Sequence, residues 1–118
     1  MEYDEFASNI LSKLNQRWKF LAIMTNGKPI SIATNLEKTH PITERYFPNK
    51  NKRTHAEVRC LQKAPKEKIV GSTIYVYRLK KNGFGLSKPC TMCFNEMGAA
   101  GVKEVFYTTD SGFVRLKL

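Results

Sequence analysis

The sequence predicts an α/β domain, a sheet with helices packed on it in two or three layers. Two observations carry that expectation. The apolar pattern alternates between helical and strand periods, in the order helix, two strands, helix, strand, helix, two strands. The chain is 118 residues long, 42% hydrophobic, with only seven Gly and five Pro, which suits one packed domain over residues 1–118 and argues against disorder or collagen-like structure. No apolar run approaches the ~18 residues of a membrane span. Glu2, Asp4 and Glu5 give the start the wrong charge for a signal peptide, so a cytoplasmic location with no membrane partner is expected. Three cysteines, Cys60, Cys90 and Cys93, make a poor disulfide framework and fit a reducing compartment.

Residues 4 to 18 carry Phe6, Ile10, Leu11, Leu14 and Trp18 as one apolar stripe, the core-facing side of a first helix. Asp4 and Glu5 in its first turn, with Lys13 and Arg17 towards its end, match the helix dipole. Phe20 to Thr25 and Ile30 to Ala33 read as strands of an antiparallel hairpin. Asn26-Gly27-Lys28-Pro29 closes it, because Gly27 tolerates positive φ. Residues 36 to 54 show no clean period and hold Pro41, Pro48, Asn49 and Asn51. A loop of this length in a small domain is expected to be functional or mobile.

Thr54 is suited to cap a helix from His55 to about Lys63, and Pro65 helps to end it. Ser72 to Leu79 is a strand by its β-branched and aromatic content. Lys80 to Lys88 reads as a loop containing Gly83 and Gly85. Pro89 suits the start of a helix through Ala100, with Gly101 as its stop. Val102 to Thr108 is a strand, and Asp110-Ser111-Gly112 turns it back into Phe113 to Leu118. With no crossover between them, these last two strands are expected to be antiparallel.

Three short pieces carry chemistry: His55-Ala56-Glu57, Pro89-Cys90 and Cys93. Cys90 and Cys93 lie one turn apart near a helix start, so both thiols can face one point, and the positive helix end favours thiolates. His55 begins another helix and offers a nitrogen. Three protein ligands leave a fourth tetrahedral position open, the pattern of catalytic zinc. Glu57 is close enough to reach a water there without being a ligand. Zinc lowers that water's pKa, and the carboxylate takes and redelivers its proton.

The spacing alone leaves two other readings open, a structural zinc site and a thiol redox pair. A four-cysteine site fails on count, and the gap between His40 and His55 is unlike the short finger spacing. A redox pair would leave Thr54, His55 and Glu57 without a role. Cys60 is expected to pack on a helix with no chemistry of its own.

His55-Ala56-Glu57 followed by Pro89-Cys90-Thr91-Met92-Cys93 resembles the signature of the cytidine deaminase-like superfamily of zinc nucleobase deaminases. With the order of strands and helices, the likeness extends over nearly the whole chain. It implies a three-layer domain, a mixed five-stranded sheet flanked by helices, ending in the antiparallel hairpin. One Zn2+ would be held between two helix N-termini by His55, Cys90 and Cys93, with water or hydroxide as the fourth ligand. That nucleophile would attack C4 of cytosine, or C6 of adenine, while Glu57 shuttles protons to the ring nitrogen and the departing amine.

Further roles follow from the same resemblance. Asn35 would touch the sugar or base, although a short polar residue ending a strand is also a routine turn former. The Ala56 backbone N–H would meet the base carbonyl, and the Ser87 backbone would accept from the exocyclic amine. Thr39-His40-Pro41 resembles a segment of deaminases acting on nucleotides or nucleic acids, leaving His40 either at phosphate or capping its loop. Phe84 is the base-stacking candidate, or a cap on the core, whereas Tyr75, Tyr77 and Tyr107 are expected in sheet packing. The antiparallel ending is similar to nucleoside-type deaminases, while nucleic-acid-editing and deoxycytidylate enzymes usually end on a parallel strand. Yet His55 stands where tetrameric free-nucleoside enzymes commonly carry Cys.

Twenty Lys and Arg against ten Asp and Glu give a net charge of +10. Lys50, Lys52 and Arg53 precede the His55 helix, and Lys80, Lys81 and Lys88 surround the other loop. Together they are expected to make a positive mouth that attracts phosphate. Phe47 and Phe84 interleave with them, as a single-strand groove requires. Lysines also merely solvate small basic domains, and one 5′-phosphate needs only a few. The reading is cytosine-to-uracil deamination, with single-stranded DNA or RNA, or a free cytidine nucleoside or nucleotide, as substrate. The alternatives are an adenosine deaminase acting on RNA and a zinc-containing nucleic-acid-binding module without turnover, against which Glu57 counts. The strand alternation permits a homo-oligomer without requiring one.

Overall fold

The structure is a computed structural model and describes residues 1–35 and 55–118. Its elements are α1 (Asp4–Ser12), β1 (Lys19–Thr25), β2 (Pro29–Thr34), α2 (Ala56–Lys63) and a short α3 (Lys66–Ile69), then β3 (Thr73–Lys80), β4 (Gly83–Phe84), α4 (Thr91–Ala100), β5 (Glu104–Thr109) and β6 (Gly112–Lys117). The long loop expected over residues 36 to 54 lies outside the described residues, and the N-cap of the following helix, expected at Thr54, is His55, one residue later, with the helix starting at Ala56.

Five strands run in the order β2-β1-β3-β5-β6, and the two-residue β4 pairs with β3 off that path. The β3–β5 pairing is parallel and the other pairings are antiparallel, so the sheet is mixed, as the resemblance implied. The final hairpin, β5 with β6, is antiparallel. Period-two alternation divides the core between two faces. Ala22, Met24, Ile74, Val76 and Val105 pack with Ala56, Cys60, Cys93 and Met97 of α2 and α4. Leu21, Ile23 and Tyr77 point the other way and pack with Ala7 and Leu11 of α1. Helices therefore cover both faces, giving three layers.

Three local expectations need correction. The first helix ends at Ser12 rather than near Trp18, and its buried residues are Ala7 and Leu11, while Phe6 is 46% exposed. The chain tightens out of the helix through hydrogen bonds from Lys13 N–H to the Ile10 carbonyl and from Leu14 N–H to the Leu11 carbonyl. Asn35, at the end of β2, then accepts from Phe20 N–H and donates to the Trp18 carbonyl, holding this stretch against the sheet instead of in a helix. Second, the loop expected over Lys80 to Lys88 contains β4, because Gly83 at φ +125° turns the chain and pairs Phe84 with Leu79. Third, α3 was not foreseen; Pro65 ends α2 by starting this extra turn.

Other signals hold. Gly101 caps α4 in the left-handed region at φ +99°, and a Cβ there would come within 2.9 Å of Val70 Cγ2. Tyr77 is fully buried, its hydroxyl accepting from Tyr3 N–H at 2.9 Å. Tyr75 stacks on Phe106 with centroids 5.0 Å apart, and Tyr107 lies in the core, so these tyrosines serve packing. Cys60 is buried and its thiol is pushed up by burial, consistent with a quiet core residue. No helix among the described residues is long and apolar enough to cross a membrane.

Candidate active site

The three expected metal ligands converge through two helix N-termini. His55 is the N-cap of α2 and Cys90 the N-cap of α4, both in extended backbone, and neither side chain makes a capping hydrogen bond. These positions normally take Ser, Thr, Asn or Asp, whose oxygens satisfy the first helical N–H groups. Placing an imidazole and a thiol there breaks a local rule, and such breaks concentrate at functional sites. The N-termini of both helices direct their partial positive charge at one point, favouring thiolate. Cys93 lies one turn into α4 and is buried.

His55 Nδ1 stands 3.2 Å from Cys93 Sγ and 3.7 Å from Cys90 Sγ, and the two sulfurs are 3.4 Å apart. Zn–S bonds of about 2.3 Å and Zn–N bonds of about 2.0–2.1 Å set tetrahedral ligands about 3.8 Å apart (S to S) and about 3.6 Å apart (S to N). The three donor atoms lie within 4.8 Å of one another and nearly meet those separations, so this group fits one zinc ion. Two thiolates and an imidazole are also the donor set zinc prefers. Among the described residues, this is the cluster of His, Cys, Asp and Glu side chains that could hold a metal.

Glu57 lies on the first turn of α2 and is only 4% exposed. Burial pushes its carboxyl upward, against the opposing pull of its own backbone N–H, the Cys93 thiol and His55. Burial and the Glu57 charge push the Cys93 thiol well above the usual thiol range. A zinc ion held by His55, Cys90 and Cys93 would reverse that balance and favour the deprotonated thiols.

These residues open into a cavity of about 280 Å³ lined by Trp18, Phe20, Asn35, Ala56, Ser87 and Lys88, together with His55, Glu57 and Cys90. Ala56 is fully buried. As the first residue of α2, it carries an N–H without an intrahelical partner. Ser87 donates its backbone N–H to the Thr108 carbonyl at 2.9 Å and its hydroxyl to the Val76 carbonyl at 2.8 Å, while Thr108 N–H donates back to that hydroxyl. These bonds use the N–H and hydroxyl of Ser87, not its carbonyl. Asn35 lines the cavity with its amide engaged by the backbone of Trp18 and Phe20 and by Gln16.

The structure does not bring every expected residue here. Phe84 packs on Tyr77, ring centroids 5.3 Å apart, on the α1 side of the sheet and away from the cavity lining. Lys80 is paired with Asp110 at 2.7 Å, and neither it nor the exposed Lys81 lines the cavity; Lys88 does. His40, Phe47, Lys50, Lys52 and Arg53 lie outside the described residues.

The sequence reading missed the aromatic wall, Trp18 and Phe20. It assigned Trp18 to a helix stripe and Phe20 to an ordinary strand position. The available signal was the alternation of cation and aromatic in Arg17-Trp18-Lys19-Phe20. The guanidinium carbons of Arg17 and Arg78 lie 5.7 and 4.8 Å from the Trp18 ring centroid.

No curated protein matches the sequence. The model of the family described as "Cytidine and deoxycytidylate deaminase zinc-binding region" matches residues 14–109, which span the aromatic wall, Glu57 and the three metal-binding side chains. With a match over most of its length and a His/Cys/Cys group that fits zinc, the chain belongs to the cytidine and deoxycytidylate deaminase zinc-binding family.

Proposed function

We propose that this zinc deaminase converts cytosine to uracil in a cytidine-type substrate, a free nucleotide or a single-stranded nucleic acid, with Glu57 as the proton carrier. The observation that carries the reading is the buried Glu57 carboxyl lining the cavity together with His55 and Cys90. Zinc binding alone does not require a buried carboxyl.

Hydrolytic deamination adds water at C4, breaks the C4–N bond of the exocyclic amine and releases ammonia. One proton must reach the ring nitrogen N3 and another the departing amine. A bound zinc ion, held by His55, Cys90 and Cys93, supplies acidity to water near neutral pH. Glu57 takes the proton from the nucleophile, gives it to N3, and then delivers a proton to the amine. Its raised pKa suits a group that must both accept and release a proton. Ala56 N–H donates to the base carbonyl, and the Ser87 carbonyl accepts from the exocyclic amine. Asn35 borders the sugar, Phe20 and Trp18 wall the ring from water, and Lys88 attracts anionic substrate at the rim.

The cavity of about 280 Å³ falls just below the usual range for ligand pockets, about 300–1,000 Å³, a size that suits one nucleobase of either kind. The test is product analysis by mass spectrometry on zinc-loaded protein. Cytidine, deoxycytidine, their monophosphates, and single- and double-stranded DNA and RNA are offered in parallel. Uracil-containing product from wild type, with turnover reduced about 10²–10⁴-fold in Glu57→Gln, is the expected result. Unchanged turnover in Glu57→Gln removes the assigned proton carrier. Adenine deamination without cytosine deamination removes the substrate.

A further inference from the structure

Arg78 is absent from the expected site residues and from the cavity lining itself, yet the sheet carries it against two residues of that lining. In the antiparallel pairing of β1 with β3, Met24 faces Ile74, Ala22 faces Val76 and Phe20 faces Arg78. The first two pairs are buried under α2 and α4, so the third extends the same row. The row ends in a guanidinium beside the aromatic wall of the cavity. Its carbon lies 4.8 Å from the Trp18 ring centroid and 5.6 Å from that of Phe20, and both rings line the cavity.

The polar surroundings leave this fork with capacity. Arg78 Nη1 donates to the Leu86 carbonyl over a long 3.4 Å. Among the described residues, no carboxylate lies within ion-pair distance of Arg78. Asp110 feels the Arg78 charge but is itself bonded to Lys80 at 2.7 Å. A guanidinium carries five N–H donors in a planar fork, and packing on aromatic faces preorganises it. The backbone beneath is also held, with Arg78 N–H donating to Thr108 Oγ1 at 3.3 Å. Two exposed cations stand nearby, Lys88 on the cavity lining and Arg17 over Trp18.

We infer that Arg78, laid over Trp18 and Phe20 at the cavity wall, binds the phosphate of the substrate and makes this a deaminase of phosphorylated cytidine rather than of the free nucleoside. The inference rests on the cytidine reading above and narrows its substrate class. A planar fork matches two phosphate oxygens, and a bidentate, charge-assisted contact is strong where water is partly excluded. The same chemistry serves a 5′-monophosphate or the phosphodiester of a single strand.

The test is binding to zinc-loaded Glu57→Gln protein, which removes turnover from the measurement. Calorimetry compares cytidine, cytidine 5′-monophosphate, a short oligocytidylate, adenosine and adenosine 5′-monophosphate. Trp18 is the single tryptophan, so quenching of its fluorescence reports binding beside Arg78. The expected result is that cytidine 5′-monophosphate binds about tenfold or more tightly than cytidine, from a charged hydrogen-bonded contact. Adding Arg78→Gln should bring the monophosphate to the level of cytidine measured on the same variant, so that the ratio of the two affinities falls to about one. If that variant fails to fold, Arg78→Lys retains charge without the fork and should still weaken the monophosphate several-fold.

Equal affinity for nucleoside and nucleotide, or a phosphate preference that survives both substitutions, overturns the inference. An advantage confined to the monophosphate identifies a free nucleotide as the source of the phosphate, and one confined to the oligonucleotide identifies a strand. An Arg78-dependent phosphate preference shared equally by adenine and cytosine compounds keeps the inference about Arg78 and removes the cytosine reading.

Discussion

Replacing Asn35 by Ala separates a structural clasp from a substrate contact. Asn35 is buried, and its amide oxygen accepts from Phe20 N–H at 3.0 Å and from Gln16 Nε2 at 3.2 Å. Its amide nitrogen donates to the Trp18 carbonyl at 3.1 Å. Alanine removes all three contacts and strands parts of two backbone groups in a half-buried setting. Net losses of about 0.5–1.5 kcal/mol per hydrogen bond, reduced where water reaches the exposed side, give a destabilisation of about 1–3 kcal/mol.

For a chain of 118 residues, an unfolding entropy of about 2.1 cal/mol/K per residue converts each kcal/mol into roughly 4 °C. Thermal unfolding of the zinc-loaded variant should therefore fall by about 4–12 °C. Because the clasp positions both aromatic walls, cytidine binding should weaken together with stability. A variant that loses affinity while its Tm moves by less than about 2 °C would refute the clasp and leave Asn35 as a substrate contact alone.

Other expectations are equally direct. Cys93→Ser should abolish stoichiometric zinc measured by elemental analysis, since serine is a poor match for a soft thiolate position, whereas Cys60→Ala should leave zinc content unchanged. Chelating zinc from wild type should lower Tm, because the ion binds a site that exists only in the folded chain. Arg115 donates to Glu104 at 2.7 Å and holds its carboxyl below the usual range. A lowered folded pKa stabilises above the unfolded value and is lost as pH falls through the folded one. Arg115 is half exposed and solvent screens the pair, so Glu104→Gln should cost about 0.5–1 kcal/mol at pH 7. Urea unfolding at decreasing pH should show that difference begin to shrink near the ordinary Glu value of about 4.3 and vanish only once pH has passed below the lowered folded value; a constant difference would assign the loss to the Thr73 contact or to packing instead.

Local signals determined much of this protein. His55, Cys90 and Cys93 are legible because one helical turn fixes how side chains three residues apart face each other, and because helix starts favour anionic donors. Gly27 and Gly101 mark turns through a backbone preference that needs no tertiary partner. The β-branched and aromatic content of Ser72 to Leu79 marked a strand without help from its neighbours.

What only the tertiary structure decided depends on pairing between distant segments. The apolar stripe through Trp18 has a helical period, but Asn35, from the far end of the hairpin, takes the Trp18 carbonyl and the Phe20 N–H and holds that stretch outside the helix. Phe84 is an aromatic in a glycine-containing loop until β4 pairs with β3 and seats it on Tyr77. Phe20 and Arg78 are 58 positions apart in sequence, and only the register of β1 on β3 sets a guanidinium over the aromatic wall. A local period shows which face a side chain takes; strand register decides which side chain it meets there.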